Sequence, residues 1–176
     1  MTIRSDIVYV ARWWASPGEY KPWPEELIFF FEEAGTEIVP TLAEAKKTLA
    51  TLGSGAFVGG GIRHWCGIFA CHVLHYAGVD VSWTLHGGRM KGKSGYQIQY
   101  VPGDRNIRPG DVAVVPKAHH HFVVTAIDYD NNQLESVDGN TTGQYIRQRD
   151  KKIRYSWKDG PDYASRNIYG YYRVLV

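Results

Sequence analysis

One cysteine, one histidine and one carboxylate are placed where they could form a nucleophilic site. Cys66 opens a largely apolar segment that ends near Tyr76, His121 heads a second apolar run, and Asp138 follows further along the chain. A thiol at a helix N-terminus meets the partial positive charge of unpaired backbone amides, which favours the nucleophilic thiolate. A distant imidazole and a polar third residue would hold that thiolate and exchange protons with it. These residue types indicate cysteine-hydrolase chemistry.

The two cysteines of the chain have different surroundings in the sequence. Cys66 and Cys71 are five positions apart, which is about 140° around a helix, so we expect no disulfide between them. Cys71 falls in the middle of the predicted helix, where no helix terminus activates it, and a buried structural thiol is the usual fate of such a residue. Cys66 is therefore the predicted nucleophile.

Three consecutive histidines at 119–121 contain the candidate base. Alternation along a strand places His119 and His121 on one face and His120 on the other, and both faces of the following strand are apolar. His121 heads that strand and is the predicted base, with a ring nitrogen within about 3 to 4 Å of the Cys66 sulfur. A metal patch is the alternative, but the chain lacks HExxH and paired CxxC spacings, so we expect no metal.

The third polar residue lies in the Asp138-Gly139-Asn140 segment. Asp-Gly is typical of a hairpin turn. Because the segment comes one strand after His121, a neighbouring antiparallel strand can also set Asp138 beside that imidazole, where it would orient the ring and select its tautomer. Asn140 is the alternative orienting residue, and the sequence does not choose between them.

A competing motif predicts a nucleotide site. Residues 87–94 match the P-loop pattern GxxxxGK[ST], and Asp128 ends an apolar run as a magnesium-binding aspartate would. A P-loop must lead directly into a helix whose N-terminus holds the phosphates. Here residues 95–102 are β-like and are broken by Pro102. Nucleotide binding stays an alternative function, and we expect the segment to be a mobile basic loop near a cleft.

The predicted elements fall into a helical first part and a strand-rich second part. Ser5 or Asp6 would cap the first helix, Pro24 precedes the second, and Thr41 with Glu44 forms a capping box for the third. The predicted helices span 5–14, 25–33, 41–52 and 66–76. The predicted strands span 111–115, 121–128, 133–138, 145–149, 153–157 and 168–176. Helices followed by antiparallel strands predict an α+β fold.

Length and composition favour one enzyme-sized domain. The chain has 176 residues, of which 44% are hydrophobic and 22% charged, and its net charge of +2 argues against a dedicated nucleic-acid binder. We expect a single domain over 1–176, with a helical part at 1–60, a catalytic core at 61–142 and terminal strands at 143–176. No stretch reads as a signal peptide or membrane span. We therefore expect synthesis in the cytoplasm, with any action at the cell wall or periplasm following another export route or lysis.

Four blocks in order resemble the papain-like NlpC/P60 superfamily, specifically its CHAP amidase/peptidase branch. They are WCGIFA at 65–70, PGDVAVV at 109–115, HFVVTAI at 121–127 and VDGNT at 137–141. Together they cover about residues 60 to 142 in the family's order and spacing.

The resemblance implies a cysteine helix packed on an antiparallel sheet, and hydrolysis of amide bonds in peptidoglycan without a cofactor. Cys66 would be the nucleophile and His121 the general base and acid. Asp138 stands where the family usually has Glu, and Asn140 matches its asparagine. The backbone amide of Cys66 would bind the oxyanion together with a second, unidentified donor.

The partner implied is a peptidoglycan stem peptide or glycan-linked peptide, with neither nucleic acid nor membrane. Such an enzyme resembles a phage lysin or an antibacterial effector, and an effector would imply a cognate immunity protein. Two further alternatives keep the same fold. One is a deamidase, protease or acyltransferase with a protein or lipid substrate, and the other is a binding module without catalysis.

Overall fold

The computed structural model describes residues 2–16, 18–50, 65–85, 88–93, 97–103, 106–115, 120–131, 133–141, 143–156, 160–163 and 166–175. His119 and the ends of the predicted third helix (51–52) and fifth strand (157) lie outside these ranges.

The four helices match the predicted positions to within two residues. They are α1 (Ile3–Trp14), α2 (Pro24–Glu33), α3 (Leu42–Ala50) and α4 (Cys66–Tyr76). The predicted cap of α1 is wrong, because Thr2 is the cap and Ser5 is its capping-box partner. The predicted capping box of α3 is confirmed, since the Thr41 amide donates to Glu44 Oε2 at 2.8 Å and the Glu44 amide donates to Thr41 Oγ1 at 3.3 Å.

Most described strands join one antiparallel sheet. The strands are β1 (Glu19–Tyr20), β2 (Val81–Thr84), β3 (Arg89–Gly92), β4 (Gln97–Pro102), β5 (Val112–Val115), β6 (His120–Asp128), β7 (Gln133–Thr141), β8 (Tyr145–Ser156), β9 (Gly160–Tyr163), β10 (Arg166–Asn167) and β11 (Gly170–Leu175). The sheet order is β10-β9-β8-β7-β6-β5-β11-β4, with β1 also pairing with β8. The predicted α+β class is confirmed, although the two strands predicted at 145–149 and 153–157 are the single strand β8.

The P-loop pattern coincides with a β-hairpin in the part that the structure describes. Strand β3 pairs with β2 in antiparallel register, from Thr84 opposite Arg89 to Val81 opposite Gly92. A strand across the middle of the pattern replaces the loop-to-helix geometry that phosphate binding requires. The expectation of a mobile loop is therefore wrong for Arg89–Gly92, while residues 86–87 and 94–96 lie outside the described ranges.

Apolar side chains cover both faces of the sheet. Helices α1, α2 and α4 share a hydrophobic core with one face, and the other face carries a smaller apolar cluster around Phe122. Helix α4 packs on β6 and β7. At Gly139 a Cβ would lie 2.6 Å from Cβ of Phe69, so only glycine lets β7 approach the helix this closely. Within the described ranges no helix is long and apolar enough to cross a membrane.

Candidate active site

The N-terminus of α4 presents the Cys66 thiol. Cys66 is the first residue of the helix, and Trp65 is its N-cap. Because an indole can only donate, Trp65 cannot cap the first-turn amides with its side chain. Its Nε1 instead donates to Oε1 of the buried Gln144 at 2.8 Å. The amide dipoles at the start of α4 therefore act on the thiol, whose residue is only 1% exposed.

His121 lies beside the thiol, as the sequence predicts. Its Nδ1 is 4.0 Å from Cys66 Sγ, at the upper end of the expected range. The imidazole meets the ring of Trp83 edge-on, at 4.8 Å between centroids and 87°, and stacks on Tyr172 at 6.3 Å and 26°. Its Nε2 is buried without a hydrogen-bond partner among the described residues. Aromatic packing, rather than a polar third residue, fixes the orientation of this ring.

Asp138 pairs with His120 and not with His121, which corrects the predicted arrangement. The Nε2 of His120 donates to Asp138 Oδ2 at 3.0 Å. The register of β6 and β7 explains the change. The pairing of β6 with β7 ends at Val123 opposite Val137, and Val137 belongs to the core that the helices share, so the next residue of β7, Asp138, points away from that core. His120 is the first residue of β6, three residues before that last pair, and its ring reaches the Asp138 carboxylate there.

Two further side chains hold the Asp138 carboxylate, which is 0% exposed. The hydroxyl of Ser136 donates to Oδ1 at 2.6 Å, and Arg149 Nε lies 4.0 Å from Oδ2. Ser136 and Asp138 are two residues apart on β7 and therefore share a face. Both carboxylate oxygens are engaged, so the anion is fixed in place beside His120.

Asn140 does not reach either histidine through a hydrogen bond. It has a left-handed backbone with φ of 56°, and the register of β7 against β8 shifts between Asp138 and Thr141. Its side-chain amide is buried with neither atom hydrogen-bonded to another described residue. The irregular register at this point and the unpartnered side chain leave the predicted orienting role of Asn140 without support in this geometry.

The charges around the thiol favour an ion pair. Burial alone would raise the pKa of Cys66, but the charge and hydrogen bond of His120, together with those of His121, bring the pKa well below its ordinary value. Burial would lower the pKa of His120, yet the Cys66 charge and the Asp138 hydrogen bond raise it to about 10. A thiolate flanked by positive imidazole is the reactive form of a catalytic cysteine.

Cys71 provides an internal contrast to Cys66. It is fully buried in α4, away from the helix N-terminus, and burial raises its pKa to about 12. Such a thiol stays neutral and unreactive near neutral pH. In the described part of the chain no three His, Cys, Asp or Glu side chains converge as a metal site would require.

Three contributors to the site were not predicted as such. His120 was passed over because strand alternation alone could not choose between the histidines. Ser136 had a usable signal, since a hydroxyl two residues before Asp138 on a strand must share its face. Trp83 lies on β2, a strand that the sequence did not predict. Its ring covers Gly67, and a Cβ at that glycine would overlap the indole.

Comparison with known proteins assigns neither a family nor a function to this chain. No family model matches the chain, and no curated protein or solved structure matches it at a significant level. The chemistry of the site is therefore argued from its own residues.

Proposed function

We propose that this protein is a cysteine amidase or endopeptidase that hydrolyses amide bonds of bacterial peptidoglycan. The observation that carries the proposal is the Cys66 thiol at the N-terminus of α4, with an imidazole nitrogen of His121 4.0 Å from its sulfur. The low pKa of the thiol, opposed to the high pKa of Cys71 on the same helix, supports a nucleophilic role for Cys66 alone.

In the first step the Cys66 thiolate attacks the carbonyl carbon of the substrate amide. A carbon–sulfur bond forms and the carbonyl π electrons move onto oxygen, where the backbone amides of the first turn of α4 can donate to the oxyanion. Collapse restores the carbonyl and breaks the carbon–nitrogen bond. His121 gives its proton to the leaving amine, and a thioester on Cys66 remains.

In the second step water hydrolyses the thioester. His121, now neutral, takes a proton from the attacking water, and the new carbon–oxygen bond displaces the Cys66 thiolate. The products are a carboxylic acid and a free amine, and the proton that His121 takes up restores the starting pair. No redox change accompanies the cycle.

The substrate class comes from the resemblance to the CHAP branch of the NlpC/P60 superfamily. The helix-on-sheet arrangement of α4 against β6 and β7 is compatible with that papain-like fold. By the same resemblance, the protein would act as a phage lysin or as an antibacterial effector with a cognate immunity protein. A protein or lipid substrate for the same thiol is the second candidate.

Digestion of purified Gram-negative peptidoglycan, with fragments identified by mass spectrometry, tests the proposal. Wild-type protein and Cys71→Ala should release new soluble fragments, and Cys66→Ala should release none. The fragment masses identify the bond that is cleaved. Cys71→Ala is the matched control because it removes the other buried thiol of the same helix without touching the site.

Two results would contradict the proposal in different ways. Fragments from Cys66→Ala at the wild-type rate would remove the cysteine from the mechanism. No fragments from the wild type, while Cys66 still forms an adduct with a small alkylating reagent faster than Cys71, would exclude peptidoglycan and turn the search to protein or lipid amides and esters.

A further inference from the structure

The reacting pair is closed off from solvent in this structure. Cys66 is 1% exposed and His121 is 7% exposed. A substrate amide must bring its carbonyl carbon to about 3–3.5 Å from the sulfur before the thiolate can attack it. A polymer cannot approach the thiol this closely while both residues are covered. Part of the cover therefore has to move before the proposed reaction begins.

The indole of Trp83 lies against the reacting pair. It meets the His121 imidazole edge-on, at 4.8 Å between ring centroids, and it covers Gly67, the residue that follows Cys66. Gly88, which precedes β3, adjoins the same indole, since a Cβ there would lie 3.6 Å from Cζ2 of Trp83. Two glycines thus line the place that the ring occupies, and neither has a side chain that would block its movement.

The ring also belongs to an element that can open on its own. Strands β2 and β3 form a separate two-stranded sheet, in which Trp83 lies opposite Met90. His121 and Tyr172 lie on β6 and β11, which are each paired on both sides within the large sheet. A small element at the margin of a fold opens at a lower free energy than strands at the centre of a sheet. The hairpin is therefore the part of the cover that can leave without disturbing the reacting residues.

Two hydrogen bonds hold the hairpin closed against the segment that follows α2. The Trp83 amide donates to the Ala34 carbonyl at 2.8 Å, and the Leu85 amide donates to Glu37 Oε2 at 3.2 Å. Neither bond is part of the pairing between β2 and β3. Breaking both would free the hairpin as a unit and leave its own strand pairing intact.

We propose that the hairpin of β2 and β3 is a lid over the candidate active site, closed by the Trp83 ring, and that it opens to admit an extended peptide segment. This inference concerns access to the thiol and rests on the proposed acyl-transfer function. In the closed state the ring shields the thiol and packs against the imidazole. In the open state the first turn of α4 becomes accessible to a substrate carbonyl. Lid opening of this kind precedes the chemical step and does not alter it.

Alkylation of Cys66 by a bulky reagent tests the lid without a substrate. The reagent is a fluorescein maleimide, used in mildly alkaline solution, where the low pKa of Cys66 keeps the thiol ionised in wild type. A variant then cannot react faster by forming more thiolate, so a faster reaction reports easier access. Adducts are assigned to individual cysteines by peptide mass spectrometry.

Two substitutions should open the lid by different means. Trp83→Ala removes the ring, and Gly67→Ala leaves the ring no room in its closed position. An open state that is a minor one, at most about 10% of wild-type molecules, limits the labelling rate by that fraction, so both variants should label Cys66 about tenfold faster or more. Trp23→Ala is the matched control, because it removes a ring that is 69% exposed, and it should label at the wild-type rate. Wild-type labelling rates in both lid variants would overturn the proposal.

Cys71 shows whether a variant has simply unfolded. It is fully buried in α4, so it should stay unlabelled while only the lid is open. If both lid variants label Cys71 as fast as Cys66, they report unfolding, and hydrogen exchange of the wild-type protein decides instead. The amides of Trp83 and Leu85, which bond to the segment after α2, should exchange at a lower opening free energy than the amide of Val124, which bonds to the Asp111 carbonyl at 2.9 Å within the large sheet. Equal protection of these amides, measured by nuclear magnetic resonance, would refute a lid that opens independently.

The lid and the proposed substrate can fail separately. If wild type releases no peptidoglycan fragments while labelling and exchange behave as expected, the lid is supported and only the substrate is wrong. If wild type cleaves peptidoglycan while labelling and exchange contradict the lid, the enzyme is supported and the lid is refuted.

Discussion

The buried imidazole of His72 should make the folded protein sensitive to acid. It lies on α4 within a ring of aromatic side chains, with centroid distances of 4.5 Å to Phe30, 5.4 Å to Trp14, 5.6 Å to Phe29 and 5.4 Å to Tyr76. Neither ring nitrogen has a hydrogen-bond partner among the described residues. Charging this ring inside the cage would therefore leave a cation with almost no solvation.

Burial, aided by the charge of His75, lowers the pKa of His72 from 6.5 to about 4. Between these values the unfolded chain binds a proton that the folded chain does not, so stability falls as pH falls through this window and is complete above it. A difference of about 2.5 pH units corresponds to about 3 kcal/mol of unfolding free energy. Glu33 Oε2 lies 3.6 Å from the ring, too far for a hydrogen bond that would offset the burial.

The substitution His72→Phe should remove this contribution, because an apolar ring of similar shape loses no hydrogen bond. We expect wild type to lose about 3 kcal/mol more than His72→Phe between neutral pH and pH 4, measured by urea denaturation at each pH. His75→Gln is the comparison on the same helix: it should keep most of the acid sensitivity, because burial, the larger cause of the lowered His72 pKa, is unchanged. Equal losses of unfolding free energy in wild type and His72→Phe would refute the link between the low pKa of His72 and acid sensitivity.

Three further predictions concern stability and the pH range of activity. Gly67→Ala should force the Trp83 ring away from the site, costing about 1–3 kcal/mol and most peptidoglycan cleavage; wild-type melting and activity would contradict this. Asp111→Ala should cost about 3 kcal/mol in urea denaturation, because the buried carboxylate accepts from Arg4 at 2.8 Å, while cleavage per folded molecule persists; an unchanged midpoint would exclude the pair as a stabilising contact. Cleavage should continue from neutral into mildly alkaline solution, because the pKa of Cys66 is low and that of His120 is raised to about 10, and a pH–rate profile that falls near neutrality would argue against this ion pair.

Local signals in the sequence were sufficient to place the four helices and to put Cys66 at the start of α4. The capping box of Thr41 and Glu44 begins α3 where expected, since both side chains act on amides within the same turn. The start of α4 at Cys66 also follows from local pattern. These features depend on residues three or four positions apart, which are contacts that any chain of this sequence makes when the helix forms.

The hairpin of β2 and β3 could not be predicted from such local signals. Its strands have four residues each, too few for alternation to stand out, and residues 87–94 carry a misleading P-loop pattern. Packing decides their place, because Trp83 lies across Gly67 and against His121. The glycine after Cys66 was a usable sign of close approach, although it did not identify the approaching residue.

By itself the sequence determined the α+β class, the helix that carries Cys66, and a histidine near the thiol. Only the tertiary structure decided which imidazole Asp138 holds. Side chains alternate along strands with a period of two, so the register that turns Val137 towards the helices turns Asp138 the other way, where its carboxylate meets His120. That register depends on pairing between strands and on how closely α4 approaches Gly139. Both are long-range contacts, which no pattern of neighbouring residues encodes.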